Sequence, residues 1–536
     1  DRLPLNVNGK LDVAALPEPA AATGRVPPQT PTEIALAAIW EAVLKCEGIG
    51  CDANFFELGG HSLLAMRVVS DIARTLGKPI AVRALFEQAT LRQLAAYIDQ
   101  QQGDAYAPIP RADRSLPLPL SFAQHRLWFI DRLEGASAQY NMPVALRLDG
   151  ELHGEALQAA LDGLVARHEV LRTVYAQVDG QAVQVIRPAA PVAIAFEDLS
   201  ASPQQDAAVQ ARVRAEAARP FDLSADPMLR VSLLRLGEQA HAVLFTLHHI
   251  ASDGWSTAVL VREFAALYAA ALDGNTDGLP ALAVQYADYA SWQRERLAGA
   301  ALQTQLDYWR ERLAGLPVVH GLPLDRPRPA RQRFEGAHVD STVDAATLAR
   351  LHALARRHDA TLFMVLQAAF AVLLGRWSGE CDIVLGTPIA GRVHKDVEPL
   401  IGFFVNTLVL RTDLGGDPTF EALLARVRED ALGAYAHQEL PFEMLVDALK
   451  PERSLAHAPL FQVLLSMRNN EQVALALPGL EVSGLGEGYE QAKFDLQLAV
   501  TESGAGLRLA WTYATALFEA ATIERMAQAM GRLMEA

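Results

Sequence analysis

The sequence predicts two folded units of different class: a small all-α bundle, then a much larger, two-lobed α/β body. Three observations carry that expectation. The chain has 536 residues, several times the roughly 150 of an ordinary domain. Proline-rich breaks run from Leu16 to Thr32 and from Gln101 to Pro119. Across the second break the apolar pattern changes from purely helical to helix alternating with strand.

Composition narrows the function classes. At 51% hydrophobic and 21% charged, the chain is neither disordered nor collagen-like. A net charge of -16 repels phosphate backbones, so no nucleic-acid partner is expected. Three cysteines make no disulfide framework and no CxxC zinc pair. The longest apolar stretch, Thr361 to Gly375, contains Gln367 and falls short of the ~20 residues of a membrane span. It is expected to be a core helix, with no membrane partner. The chain opens on Asp-Arg-Leu-Pro, without initiator Met or signal h-region, so a piece of a longer cytoplasmic polypeptide is expected.

The elements follow in order. Leu36, Ile39, Trp40, Val43 and Leu44 keep helical spacing after Thr32, a candidate N-cap. Leu63, Leu64, Met66, Val68, Val69 and Ile72 form a second apolar helical face. Beyond Leu118, Gly154 to Arg167 reads as helix and Val170 to Tyr175 as strand. His241 to Ile250 reads as strand, then Trp255 to Leu272 as helix. Ala345 to Arg376 reads as one long helical stretch before a strand at Asp382. A lobe boundary is expected near Arg294 to Gly315.

The string Phe55-Phe56-Glu57-Leu58-Gly59-Gly60-His61-Ser62-Leu63 sets a serine after a glycine turn and before a helix. Serine there is a preferred N-cap, and the glycines also leave its hydroxyl open to modification. With Asp52-Ala53-Asn54 ahead of it, the string resembles the phosphopantetheine attachment motif of peptidyl carrier proteins. The resemblance spans about Thr30 to Gln102. It implies 4'-phosphopantetheine covalently bound to Ser62 by a phosphopantetheinyl transferase, with His61 and Leu63 to Met66 on the face that partner domains recognise. Upstream, Leu3 to Asp12 resembles the last motif of an adenylation domain, in which Lys10 would contact the acyl-adenylate.

The second constellation is His248-His249-Ile250-Ala251-Ser252-Asp253-Gly254, between a strand and a helix. Strand side chains alternate faces, so the two histidines should point apart. They are then poor partners for one metal ion, and no third ligand has a recognisable spacing. No metal is expected. Asp253 suits an N-cap or a buried ion pair, and Gly254 a turn.

As a set these residues resemble the active-site motif of nonribosomal peptide synthetase condensation domains, which have a chloramphenicol acetyltransferase-like fold. Further motifs of that family are resembled in order: Leu120 to Trp128, Tyr286 to Gln293, Ile401 to Thr407, His437 to Phe442 and His457 to Gln462. The two resemblances together divide the chain into an adenylation remnant and linker at 1–29, a four-helix carrier bundle at 30–102, a linker at 103–117 and a condensation domain at 118–536. Its lobes would cover about 118–300 and 301–536.

The reaction so implied is amide formation between donor and acceptor aminoacyl thioesters. An α-amine has a pKa of ~7.7–8.0, so much of it is already neutral near pH 7. Proton removal as the bond forms, positioning and oxyanion stabilisation are what remain to be supplied. The family places the second histidine, His249, in the substrate channel, as base, hydrogen-bond acceptor or charged stabiliser. His248 is expected to shape the site. Asp253 is expected to hold the loop through an arginine, with Arg392 a candidate, and the Gly254 amide to polarise a carbonyl. The implied partners are an upstream adenylation domain and downstream adenylation and acceptor carrier domains. Two alternatives stand beside this: an epimerisation or other condensation-like domain, and a catalytically silent docking module.

Overall fold

The computed structural model describes residues 26–536 apart from 61, 79, 102–107, 136, 276–277, 453, 469–474 and 486–490. Lys10 and its motif, and His61, lie outside the described residues. The chain divides into two compact units, Asp1–Tyr106 and Ala107–Ala536.

In the first unit the described helices are Pro31–Leu44, Ser62–Leu76, Val82–Glu87 and Leu91–Gln100. The first is capped by Thr30, not Thr32. Thr30 Oγ1 accepts from the Glu33 amide at 3.1 Å while Glu33 returns to the Thr30 amide at 2.9 Å. Pro31, with no N–H to satisfy, suits the first helical position. That leaves Thr32 inside the helix, where its hydroxyl donates to Asp99 at 2.6 Å. Leu36, Ile39, Trp40 and Val43 are buried as their spacing requires, and Val68 and Ile72 meet them from the second helix. Trp40 packs edge-on to Phe55 with ring centres 5.2 Å apart, and Phe56 lies 4.6 Å from Phe86. These aromatics fill the small core.

The second unit is two-lobed. The first lobe's sheet has the strand order Leu480–Gly484, Asn141–Gly150, Ala240–His248, Leu229–Arg235, Ile194–Asp198. The second lobe's has the order Asn406–Asp413, Asp382–Ile389, Val463–Arg468, Leu496–Ser503, Gly506–Ala514, Gly336–Asp344. A strand from late in the chain, Leu480–Gly484, thus completes the first lobe's sheet. It pairs antiparallel with the Asn141 strand through Val482 opposite Leu148. The lobes therefore do not separate at one point in the sequence. The stretch Arg294 to Gly315, read as a boundary, holds the helix Gly299–Arg312 instead. Its buried Trp309 donates through Nε1 to the His437 carbonyl at 2.9 Å.

Strand Ala240–His248 is covered on both faces. Val243, Phe245 and Leu247 join the main core under the helices Gly154–Arg167 and Gly254–Leu272, while Ala242 and Leu244 join a second cluster with Val209 and Val213 of the helix Gln205–Ala218. Even and odd positions both find a hydrophobic partner, as a central strand demands. The expected strand at Val170 to Tyr175 starts later, at Thr173, after a 3-10 turn over Glu169–Arg172. Ala345 to Arg376 is two helices, Ala345–Arg357 and Leu362–Ser378, bent by 103°. Thr361 restarts the second through its hydroxyl, which accepts from the Met364 amide at 3.3 Å.

Among the described residues, Gly254–Leu272 is the one single helix long and apolar enough to cross a bilayer by length and composition. Here it is a packing element: Val259, Leu260, Phe264 and Tyr268 are buried in the first lobe's core.

The small unit has little apolar core to spare. Trp40→Ala should cost roughly 3–5 kcal/mol, as large-to-small core changes do. Loss of dispersed amide resonances from residues 31–100 in NMR spectra of the variant would show that unit unfolded; native dispersion with unchanged urea resistance would contradict the packing argument.

Candidate active site

Strand Ala240–His248 ends at the first histidine because a single 3-10 turn, His249–Ala251, follows. His248 begins that turn by accepting the Ile250 amide on Nδ1 at 3.1 Å. Its ring is buried against Phe221, at 5.5 Å, and Tyr140, at 6.3 Å. The His249 ring goes the other way and meets Phe403 edge-on at 4.8 Å. The His249 amide is tied to the Tyr140 carbonyl at 2.8 Å. The pair thus diverges as expected, but because the chain leaves the strand for a 3-10 turn at His249, not by strand alternation.

Both rings are held neutral. Burial, with His249, Arg230 and Lys493 adding positive charge, pushes His248 down to about 3 from 6.5. Burial, then Lys493, pushes His249 down to about 4, against an opposing pull from Asp253. The unfolded chain therefore takes up these protons first. Their contribution to stability is complete above pH 6.5 and is lost as pH falls from there toward about 4 for His249 and about 3 for His248. Nδ1 of His249 is enclosed without a hydrogen bond of ordinary geometry, and the carbonyls of His249 and Ser252 favour a proton on the ring. We assign the proton to Nδ1, which leaves Nε2 an acceptor toward the open side.

Asp253 caps the helix Gly254–Leu272, accepting the Ser256 amide on Oδ1 at 2.8 Å. Its Oδ2 accepts the Phe404 amide at 2.9 Å, from a second-lobe loop. Arg392 Nη2 lies 3.4 Å from Oδ1 and donates to Ser256 Oγ at 2.9 Å. Arg392 also binds the carbonyls of Val397 and, at 2.8 Å, Leu400. Gly391 sets up this loop: at φ +64 its Cβ would lie 1.9 Å from the Phe404 carbonyl oxygen, so only glycine fits. Val397, Leu400, Ile401 and Phe404 insert into the first lobe's core. Gly254 is exposed at the helix start, where the first amides lack helical partners.

Residues of four further motifs converge around this junction. Ser121 Oγ lies 2.9 Å from Tyr286 Oη, which donates to the Phe403 carbonyl at 2.6 Å. Gln124 Nε2 donates to the Ile250 carbonyl at 3.2 Å. Asn406 Nδ2 donates to the carbonyls of Gln438 and Leu440 at 2.9 and 2.8 Å, while its Oδ1 accepts the Phe442 amide at 3.0 Å. Beside Phe403 opens a cleft lined among others by Tyr289, Trp292, Arg296 and Glu439. The Ser256 hydroxyl escaped the sequence analysis; its one signal is its place three residues after a capping aspartate.

In the first unit, Ser62 opens the helix Ser62–Leu76. The turn before it requires glycine: Gly59 has φ +93, and a Cβ on Gly60 would sit 2.3 Å from the Phe55 ring. The Gly60 amide donates to the Phe55 carbonyl at 2.9 Å. Such a turn delivers the serine to a helix N-terminus, whose free amides favour a phosphate. The donor set therefore fits a phosphopantetheine group.

Comparison with known families and proteins agrees with this geometry. The condensation-domain model matches residues 116–536, and the phosphopantetheine attachment-site model residues 35–98. A linear gramicidin synthase from Brevibacillus parabrevis is 47% identical over 546 residues, covering 100% of this chain and 11% of that protein. The chain thus spans about a tenth of that relative's length. The X-domain from teicoplanin biosynthesis is 34% identical with TM-score 0.73, covering 80% of this chain and 96% of that one. Holo-AB3403, a four-domain nonribosomal peptide synthetase bound to AMP and glycine, is 25% identical with TM-score 0.70, covering 78% of this chain and 33% of that one.

Removing the Asp253 carboxylate would leave Arg392 buried without its counter-charge. Asp253→Ala should cost ~3–5 kcal/mol. Urea denaturation followed by tryptophan fluorescence checks this, and a loss below ~1 kcal/mol, the worth of a helix cap alone, would remove the ion pair from the account.

Proposed function

The chain belongs to the condensation-domain family and carries a phosphopantetheine attachment site ahead of that domain, and we propose that it forms amide bonds in a nonribosomal peptide assembly line. Ser62 is the attachment residue, modified by a phosphopantetheinyl transferase. Phosphopantetheine, when bound, supplies a thiol that holds an acyl group as a thioester activated toward amines. With the carrier preceding the condensation domain, Ser62 presents the donor chain, and the acceptor α-amine comes from a downstream carrier. Upstream and downstream adenylation domains load the two carriers. The cytoplasm is the compartment in which such loading would occur.

The observation that carries this reading is the neutral His249 ring at the meeting of the two lobes. With its pKa held at about 4, His249 is a poor imidazolium donor near pH 7. Kept neutral by burial, the ring offers Nε2 as a hydrogen-bond acceptor. That bond orients the lone pair of an already neutral amine toward the acyl carbon, a positioning role. The exposed Gly254 amide polarises the acyl carbonyl. His248 keeps the turn in shape, and Asp253, through Arg392 and the Phe404 amide, sets the distance between the lobes' contributions.

Two outcomes test the reading. Ser62→Ala should abolish the mass increase of one phosphopantetheine on treatment with coenzyme A and a transferase; a persisting increase would put the attachment residue elsewhere. His249→Ala should lower amide formation from a loaded donor and a carrier-bound acceptor by ~10²-fold or more. In the wild type the rate should rise from pH 6 to 8 with the acceptor amine and show no step at 6.5. A folded His249→Ala variant with near-normal turnover would remove His249 from the mechanism, and a loaded wild type that makes no amide would favour a silent docking module.

A further inference from the structure

Three backbone amides of the second-lobe loop 401–404 are held by acceptors that belong to, or rest on, one first-lobe helix. The Phe404 amide donates to Asp253 Oδ2 at 2.9 Å and the Gly402 amide to Ser256 Oγ at 3.0 Å. Both acceptors stand at the start of the helix Gly254–Leu272. The third amide, of Ile401, donates to Nδ1 of His168 at 3.4 Å. His168 belongs to none of the motifs described above.

His168 is fixed from every side. It closes the helix Gly154–Arg167, its amide donating to the Leu164 carbonyl at 3.0 Å, and its own carbonyl accepts the Leu171 amide at 3.1 Å. Its ring is 1% exposed, with Nε2 2.6 Å from Glu263 Oε2. Glu263 is buried within the helix Gly254–Leu272, seven residues after Ser256 and so on the same face. Arg167 Nε donates to the same carboxylate oxygen at 3.0 Å. Against the cost of burial, the bonds from His168 and Arg167 hold the Glu263 carboxyl below the usual carboxylate range.

These contacts define the tautomer. A carboxylate only accepts, so Nε2 carries the proton that faces Glu263. An amide only donates, so Nδ1, which faces Ile401, carries none. A second ring proton would set N–H against N–H where neither reaches water. Arg167 already matches the charge of Glu263, so the pair is complete with a neutral ring beside it. One edge of His168 is thus held by the helix, and the other edge holds the loop.

That loop carries a wall of the site. Phe403 meets the His249 ring at 4.8 Å, and its carbonyl accepts from the Tyr286 hydroxyl at 2.6 Å. A buried Ile401 amide deprived of its acceptor would draw the loop toward another partner, and Phe403 with it. Resting on the proposed function, we infer that His168 is a positioning residue for amide formation: its neutral ring, protonated on Nε2, fixes the loop 401–404 and through Phe403 the orientation of His249.

The test uses the full chain. His168→Gln keeps both roles, an N–H toward Glu263 and an oxygen toward Ile401, whereas His168→Leu keeps neither. A soluble peptidyl thioester and an amino-acid amide serve as substrates. His168→Leu should lower kcat ~10-fold or more with a smaller change in KM, and His168→Gln should recover most of it. Two readouts stand apart from turnover. Nitrogen-15 spectra of labelled histidine at pH 7 should show His168 neutral with its proton on Nε2. The His249 ring resonances, which sense the Phe403 ring, should shift in His168→Leu and return toward wild type in His168→Gln. A proton on His168 Nδ1, unmoved His249 resonances or full activity in His168→Leu, or equal loss in both variants would each overturn the inference. If the wild type itself makes no amide, the proposed function falls, and the two spectra decide on His168 alone. If His168→Leu fails to fold, the tautomer and His168→Gln decide, and displaced His249 resonances in His168→Gln reject the role.

Discussion

One buried carboxylate organises the catalytic half of this molecule. Asp253 ends one lobe's histidine turn, starts the helix that follows, and accepts the amide of a loop from the other lobe. A carboxylate has about four acceptor sites. Here they are divided between a helix cap, an interlobe backbone bond, a serine hydroxyl and a guanidinium. Because each partner is itself fixed, the carboxylate has no freedom left to pass on. The lobes share a sheet strand and a core, and at Asp253 and Arg392 they share a buried charge pair.

That arrangement explains why neutral histidine and buried arginine coexist within a few side chains. Arg392 keeps its charge by binding three carbonyls as well as Asp253. At His249 the pull of Asp253 and of the His249 and Ser252 carbonyls is outweighed by burial and Lys493, and the ring gives its charge up. Desolvation acts on both, and the number of fixed acceptors decides which stays ionised. The neutral state of His249 then follows from burial that its few partners do not offset. An enclosed, unpartnered Nδ1 and an open Nε2 make a ring suited to accept from a ligand.

Local rules carried the sequence analysis a long way. The helix Gly154–Arg167 and the Asp253 cap follow from spacing and capping chemistry alone. The divergence of His248 and His249 was expected from strand alternation, but the 3-10 turn that begins at His249 is what produces it. What stayed hidden was set by tertiary partners or by near-equivalent local choices. Thr30 and Thr32 are equal cap candidates until Pro31 and Glu33 are weighed together. Ala345 to Arg376 keeps its apolar period through a bend, because each helix buries a face. The strand Leu480–Gly484 gives no local sign that its partner lies more than three hundred residues earlier. Ser256 and His168 are ordinary until their neighbours are known.

The exchanged strand has a mechanical consequence for the site. Leu480–Gly484 leaves the second lobe, pairs with the strand that carries Asn141 opposite His248, and the chain then returns to Lys493. The Asn141 strand is thus bound on one edge by the histidine strand and on the other by the second lobe's excursion. Opening the lobes would strain this ladder and the Asp253 junction together, since both tie the same two bodies. Small hinge motions about the two ties would move Phe403, on one lobe, against His249, on the other. The ring contact between them is therefore a point where lobe geometry and the His249 ring are tied together.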